Sequence, residues 1–556
     1  MKVATNMHEG RRAEMYACGA WNDMIITDYL DRVVASAPDR TALVGYRVPV
    51  GDRHVLSYAE LDRHVGRMAA GLAALGVEPG DVVSCQLPNW WQMNALFLAC
   101  VRIGAVINPL MPIFREHELR FMLAHARSRV LVIPQSFRNF DHRQMIEGLR
   151  SELPDLAHVL VVEGDGEQSF ERLLLERAWE DECDTARLFA ERRPSPDDVV
   201  QVIYTSGTTG KPKGVMHTCN TLLSHIRPFC ERHGLSEGDR ILMPSPLAHQ
   251  LGFLYGLMTP VYLGAGVILQ DVWNPLFAVH VIAQERPGLT LGSTPFLADL
   301  VEVATDYREQ LSSLKTFISA GAPIPGALVE KAAGLLDTRI VSAWGMTENG
   351  AVTSTRPEDP PHMAVVSDGL ALPWMEVKVV GEDGRELPAN QEGDLLVRGS
   401  SLFVGYLGEP ELYSVDAEGW FPSGDIARMS VDGYIRITGR SKDIVIRGGE
   451  NIPVADIENL LYKHPAIKSV ALVGAPDPRL GERLCAYVTL HDGQAQTLTL
   501  KEVTDYLLEQ QLTRQYLPEY LEVMDELPRT PSGKIQKFRL REMAKGLFLD
   551  DQKLHA

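Results

Sequence analysis

Up to about residue 400 the chain repeats one arrangement: a short apolar run, a loop of small residues, then an amphipathic stretch. That order is the signature of an α/β fold, in which strands of a largely parallel sheet are joined through helices. Residues 82–87 read as a strand and 91–104 as the helix that follows. Residues 199–205 read as a buried strand ending in a Gly-rich loop, and 241–244, 289–292, 316–320 and 340–344 as further strands, each running into Gly, Pro or Ser. Open parallel sheets bind ligands beyond the carboxyl ends of their strands, so the chemistry is expected in those loops.

The texture changes near residue 440, after a Gly-rich stretch of short strands at 393–439. Beyond it the pattern predicts a helix at 455–464, strands at 469–474 and 484–490, and a second helix at 500–511. A chain of 556 residues is too long for one core. The expected architecture is therefore an α/β N-terminal domain, residues 1–441, with parallel-rich sheets flanked by helices and a small β-rich subdomain. A small α+β C-terminal domain, 442–556, follows it.

The formal charge of −19 argues against a nucleic-acid surface, which needs an excess of Lys and Arg on one face. No apolar run approaches the roughly 20 residues that span a bilayer, and charges interrupt the start of the chain where a signal peptide would be apolar. A cytoplasmic location is the default expectation. The seven cysteines are odd in number and never spaced CxxC, which speaks against a disulfide framework or a zinc site.

Segment 204–214 reads Tyr-Thr-Ser-Gly-Thr-Thr-Gly-Lys-Pro-Lys-Gly, directly after an apolar strand. Gly207 and Gly210 allow backbone N–H groups to converge on an anion. Thr205, Ser206, Thr208 and Thr209 add hydroxyl donors, and Lys213 adds charge. It is not a Walker A loop: Thr205 stands where that loop needs its first glycine, and Pro212 where it needs Ser or Thr.

This segment resembles the phosphate loop of the acyl-adenylate-forming superfamily, which includes acyl-CoA synthetases, peptide-synthetase adenylation domains and beetle luciferases. Further landmarks follow in the family's order: Trp344-Gly-Met-Thr-Glu348, Ser423-Gly-Asp425, Gly439-Arg-Ser-Lys-Asp443 and Pro528-Arg-Thr-Pro-Ser-Gly-Lys534. The resemblance covers nearly the whole chain, and what it implies is a ligase using ATP, Mg2+ and coenzyme A. In this reading Trp344 stacks on adenine, where the family usually has Tyr, and Gly321-Ala322-Pro323 lines the ring's other side. Gly345, Met346 and Ile437 belong to the same nucleotide site, Thr347 holds the α-phosphate, and Glu348 ligates the metal with Thr205 beside it. Asp425 accepts the ribose hydroxyls with Arg440 as partner.

The resemblance further makes Lys534 the residue that screens carboxylate and α-phosphate as they approach, which is electrostatic stabilisation of the transition state. Lys442 is the hinge about which a mobile C-terminal domain pivots between two half-reactions, and Gly448 and Gly449 border the pantetheine tunnel. His249, Phe253, Gly321 and Gly345 face the acid. No general base is needed, because a carboxylate is already ionised at pH 7.

The stretches Leu87-Pro-Asn-Trp90, Ser367-Asp-Gly369 and Ile446-Arg-Gly-Gly-Glu-Asn-Ile452 are most similar to bacterial short- and medium-chain acyl-CoA synthetases and cyclohexanecarboxylate-CoA ligases. Candidate acids run from linear aliphatic to alicyclic or polycyclic. Gln250 stands where aryl-acid enzymes usually carry Asn, which weakens an aryl reading. Other readings stay open at this point: delivery of the acyl group to a carrier protein's phosphopantetheine, a non-catalytic nucleotide-binding relative, and a homodimer.

Overall fold

The computed structural model describes residues 5, 7, 9–205, 212–321, 324–440, 445–447, 450–452, 454–477, 480–491, 498–510, 512, 514–530 and 533–554. Among these residues the strands form two large sheets, two smaller ones and one short hairpin.

The nine-stranded sheet runs, edge to edge, Leu370–Ala371, Gly350–Ser354, Arg339–Met346, Thr316–Ala320, Leu289–Gly292, Arg240–Met243, Gly266–Gln270, Thr41–Arg47 and Asp52–Ser57. Its middle is parallel: Leu289 pairs with Thr316, and Thr316 with Arg339. The predicted strands at 289–292 and 316–320 fall on the observed bounds, while the one at 340–344 extends to Arg339–Met346. Sheet two has six strands, in the order Lys213–Thr218, Val199–Thr205, Val106–Pro109, Val82–Cys85, Val130–Pro134 and His158–Val162. Helix Trp91–Arg102 is buried from Met93 to Val101, which is why its sequence is apolar all round and lacks a polar stripe.

Local chemistry sets many of the helix ends. Ser57 and Glu60 form a reciprocal capping box at the start of Tyr58–Ala74, and Thr499 with Glu502 repeats it at Leu500–Glu509. Thr218 caps Cys219–His233, which ends at Gly234 in the left-handed conformation. A short turn at Gln250–Gly252 widens into a π-helical stretch, Phe253–Met258, before Thr259–Leu263. The Thr259 hydroxyl bonds the Leu254 carbonyl there, a partner that the widened ladder needs.

The β-rich part is a four-stranded antiparallel sheet of Met375–Val380, Glu392–Gly399, Phe421–Met429 and Ile435–Arg440. Its first strand precedes the stretch in which the sequence placed short strands. After residue 440 a five-stranded sheet forms from Glu450–Ile452, Val445–Arg447, Gly481–Leu490, Ile467–Asp477 and Tyr520–Val523. Helices Val454–Leu461 and Leu500–Glu509 supply its apolar cover through Ile457, Leu461, Val503 and Leu507. All seven cysteines are unpaired, as their spacing implied.

Ion pairs join this last unit to the rest of the chain among the described residues, from Arg428 to Asp456 at 3.6 Å and from Lys468 to Glu302 at 3.9 Å. A tighter contact is made by the turn before Lys534. A Cβ added to Gly533 would lie 3.0 Å from Pro295 Cγ and 3.1 Å from the Ser293 hydroxyl, so only a glycine permits this approach at its φ of +83°.

Candidate functional site

Thr205 ends Val199–Thr205 and is paired across the hairpin with Lys213, so the two residues stand at the mouth of the Gly/Thr loop. Ser206, Gly207, Thr208, Thr209 and Gly210 of that loop lie outside the described residues, as do Ala322, Pro323, Lys442, Gly448 and Gly449.

The Trp344–Glu348 segment leaves the carboxyl end of Arg339–Met346. Gly345 is tightly constrained: a Cβ on it would fall 1.9 Å from the Gly350 carbonyl oxygen. Asn349 closes the turn by accepting from the Met346 N–H at 2.9 Å. Thr347 is half-buried, and its carbonyl accepts at 2.8 Å from His217 Nε2. A carbonyl cannot donate, so Nε2 carries the proton and Nδ1 accepts from the Thr221 hydroxyl at 3.0 Å. Burial drives the His217 pKa down to about 4, which keeps the ring in that neutral form. The sequence reading did not single out His217; its partner Thr347 lies 130 positions away.

Glu348 is buried, and burial raises its pKa, opposed chiefly by the hydrogen bond it accepts from the Tyr406 hydroxyl at 2.9 Å. Its carbonyl also accepts from the Phe403 N–H at 2.7 Å. Behind that loop the Arg11 guanidinium donates to the carbonyls of Phe403 and Gly399, both at 3.1 Å, and to that of Leu402. Tyr406 and Arg11 are likewise absent from the sequence reading.

Asp425 and Arg440 are direct partners across adjacent strands. The buried Asp425 carboxylate receives Arg440 Nε on Oδ1 at 2.9 Å. It receives the indole N–H of Trp344 on Oδ2, also at 2.9 Å. Nearby, Ile437 N–H donates to Asp368 at 2.8 Å, and the Ser342 hydroxyl does so at 3.0 Å. Gly321 ends Thr316–Ala320, exposed and with φ +82°.

His249, expected to face the acid, is recessed at the head of Gln250–Gly252. Burial first, and then the positive charge of Lys534, push its pKa down to about 4. This places the C-terminal lysine near His249, held in a turn where Thr530 N–H donates to the Lys534 carbonyl at 2.7 Å and the Thr530 hydroxyl accepts from the Lys534 N–H at 3.0 Å. Phe253 is wholly buried, its ring against Phe97 at 4.6 Å. Gln250 is also buried, and neither polar atom of its amide has a hydrogen-bond partner among the described residues.

No group of three or more His, Cys, Asp or Glu among the described residues could hold a metal unaided. Glu348 offers a single buried carboxylate, one oxygen of which is taken by Tyr406. That fits a magnesium ion bound mainly through nucleotide oxygens and water, its usual manner, and does not fit an all-protein cage.

Residues 30–407 match the family of AMP-binding enzymes, and residues 456–534 match the AMP-binding enzyme C-terminal domain. The medium-chain fatty-acid–CoA ligase of Escherichia coli K12 is 36% identical over 550 residues, covering 98% of this chain and 94% of that protein. Among solved structures, the anthranilate CoA ligase AuaEII in complex with anthranoyl-AMP superposes with a TM-score of 0.83 at 25% identity, over 95% of this chain and 98% of the other. ATP-bound MatB from Rhodopseudomonas palustris superposes at 0.81 with 26% identity, over 94% of this chain and all of the other. Its apo form superposes at 0.71. The chain belongs to the AMP-binding enzymes, the adenylate-forming superfamily.

Proposed function

We infer that the protein is an ATP-dependent carboxylic acid:CoA ligase. It converts acid and ATP to acyl-AMP and pyrophosphate, then acyl-AMP and coenzyme A to acyl-CoA and AMP. The observation that carries this reading is the Trp344–Asp425–Arg440 cluster, whose indole and guanidinium hold both carboxylate oxygens, together with the closeness of Lys534 to His249. A lysine there has the charge needed where a carboxylate must approach the α-phosphate.

Each side chain has a task in the first half-reaction. Trp344 presents its ring to adenine, and the Asp425 carboxylate accepts the ribose hydroxyls. Thr347 and the hydroxyls of the Gly/Thr loop donate to phosphate oxygens, with Thr205 and Lys213 at its mouth. Lys534 stabilises the charge built up as the acid oxygen attacks phosphorus. His249 is neutral in the physiological range, so it borders the carboxylate as a packing and hydrogen-bonding group and does not repel Lys534. Magnesium, bound through Glu348, supplies Lewis-acid neutralisation of the phosphate oxygens.

The second half-reaction needs a different arrangement, because Lys534 fills the site from the C-terminal unit. Rotation about Lys442, between residues 1–441 and 442–556, withdraws it and brings Gly448 and Gly449 to the thiol's path. The named activities of relatives favour a medium-chain aliphatic acid as substrate. Among the described residues no helix is long and apolar enough to cross a membrane.

The test is AMP release across linear, alicyclic, aryl and polycyclic acids, with and without CoA. The reading requires acid-dependent AMP release that needs CoA. Adenylate formation that ignores CoA but proceeds onto a phosphopantetheinylated carrier protein would replace it with the carrier-loading alternative.

A further inference from the structure

Two phosphate-facing groups that the sequence treats separately, Lys213 and Glu348, meet on one side chain. The Tyr406 hydroxyl donates to Glu348 Oε1 at 2.9 Å. The Lys213 ammonium lies over the same ring, 5.0 Å from its centroid, within cation–π range. Tyr406 is 5% exposed, so both contacts are made away from bulk water, where they weigh most.

The backbone around Tyr406 is tied to both partners. Tyr406 bridges Val215 in the strand that Lys213 begins. Met216 N–H donates to Gly405 at 3.0 Å, Leu407 N–H to Gly214 at 2.8 Å, and Phe403 N–H to Glu348 at 2.7 Å. A shift of this loop therefore moves the lysine's strand and the carboxylate together. Burial and the neighbouring Glu348 both raise the phenol's pKa, so it remains a donor at any working pH.

We propose that Tyr406 is a positioning residue that couples ATP binding to its divalent cation. Its hydroxyl fixes one Glu348 oxygen and leaves Oε2 for the ion, while its ring holds the Lys213 ammonium beside the phosphates. This rests on the ATP-dependent reading given above. A residue serving only to fill the core would affect all nucleotide binding alike; the proposal separates the hydroxyl from the ring.

Two variants test it, with ATP binding measured by calorimetry in the absence of acid, in Mg2+ and in EDTA. Tyr406→Phe keeps the ring and is expected to bind ATP normally in EDTA but to lose about tenfold of the gain that Mg2+ gives, the scale of one hydrogen bond to a charged group. Tyr406→Leu is expected to bind more weakly in both conditions, because Lys213 loses its support. Equal weakening of Tyr406→Phe with and without Mg2+, or an unchanged Mg2+ gain, overturns the proposal. Tyr406→Phe is nearly isosteric, so it gives the answer even if Tyr406→Leu fails to fold. Failure of the unaltered protein to bind ATP would instead remove the ligase reading and this inference together.

Discussion

The indole N–H of Trp344 donates to Asp425 Oδ2 at 2.9 Å, while Arg440 holds the other oxygen at the same distance. The residue expected to stack on adenine thus also aims the carboxylate expected to bind ribose. A ring without the N–H would preserve the first role and lose the second.

Trp344→Phe isolates that link. ATP affinity should fall about tenfold, the cost of one hydrogen bond to a buried charge, and most of the preference for ATP over its 2′- and 3′-deoxy analogues should disappear. Steady-state KM values for the three nucleotides check this. A uniform loss with the preference intact would mean that Asp425 is oriented by Arg440 alone.

Arg11 is a guanidinium whose pKa is lowered by burial, fastened mainly to main-chain carbonyls of the loop behind Glu348. Arg11→Ala leaves those carbonyls short of a donor and should destabilise the fold by about 3 kcal/mol. Chemical denaturation measures this, and a change below about 0.5 kcal/mol, the range of ordinary surface substitutions, would mean that the loop stands without it.

Buried histidines are expected to cost stability as the pH falls. Burial lowers His217 to about 4 and His225 to about 3, from 6.5 in the unfolded chain. The unfolded chain therefore takes up protons that the folded state refuses, and stability present above about pH 6.5 is lost as pH falls towards 4, each ring contributing of the order of 3 kcal/mol. Melting temperatures recorded from pH 7.5 to 4.5 should drop, and His225→Gln, which cannot titrate, should flatten the slope. An unaltered slope in that variant counts against the burial argument.

Much of this was legible in the sequence. The strands at 199–205, 289–292 and 316–320 are short, mainly apolar runs closed by Gly, Pro or Ser, and each matches the structure to the residue. Strand Met375–Val380 was not read, although Met-Glu-Val-Lys alternates as a half-buried strand should. At the site, Asp425 and Arg440 belong to recognisable clusters, whereas Tyr406, His217 and Arg11 do not. Their partners lie 58, 130 and 392 positions away, and a hydrogen bond across such a separation leaves no periodic trace. The Trp344 to Asp425 bond, spanning 81 positions, was hidden for the same reason.

The account turns on Lys534 acting in one half-reaction and not in the other. The direct measurement follows Lys534→Ala through each half in single turnover: pyrophosphate release from acid and ATP, and thioester formation from supplied acyl-AMP and CoA. Adenylation should fall by at least about 10²–10³, the loss on removing one preorganised charge-stabilising group, with thioester formation close to that of the unaltered enzyme. Equal loss in both halves, or adenylation that survives the substitution, would contradict the account.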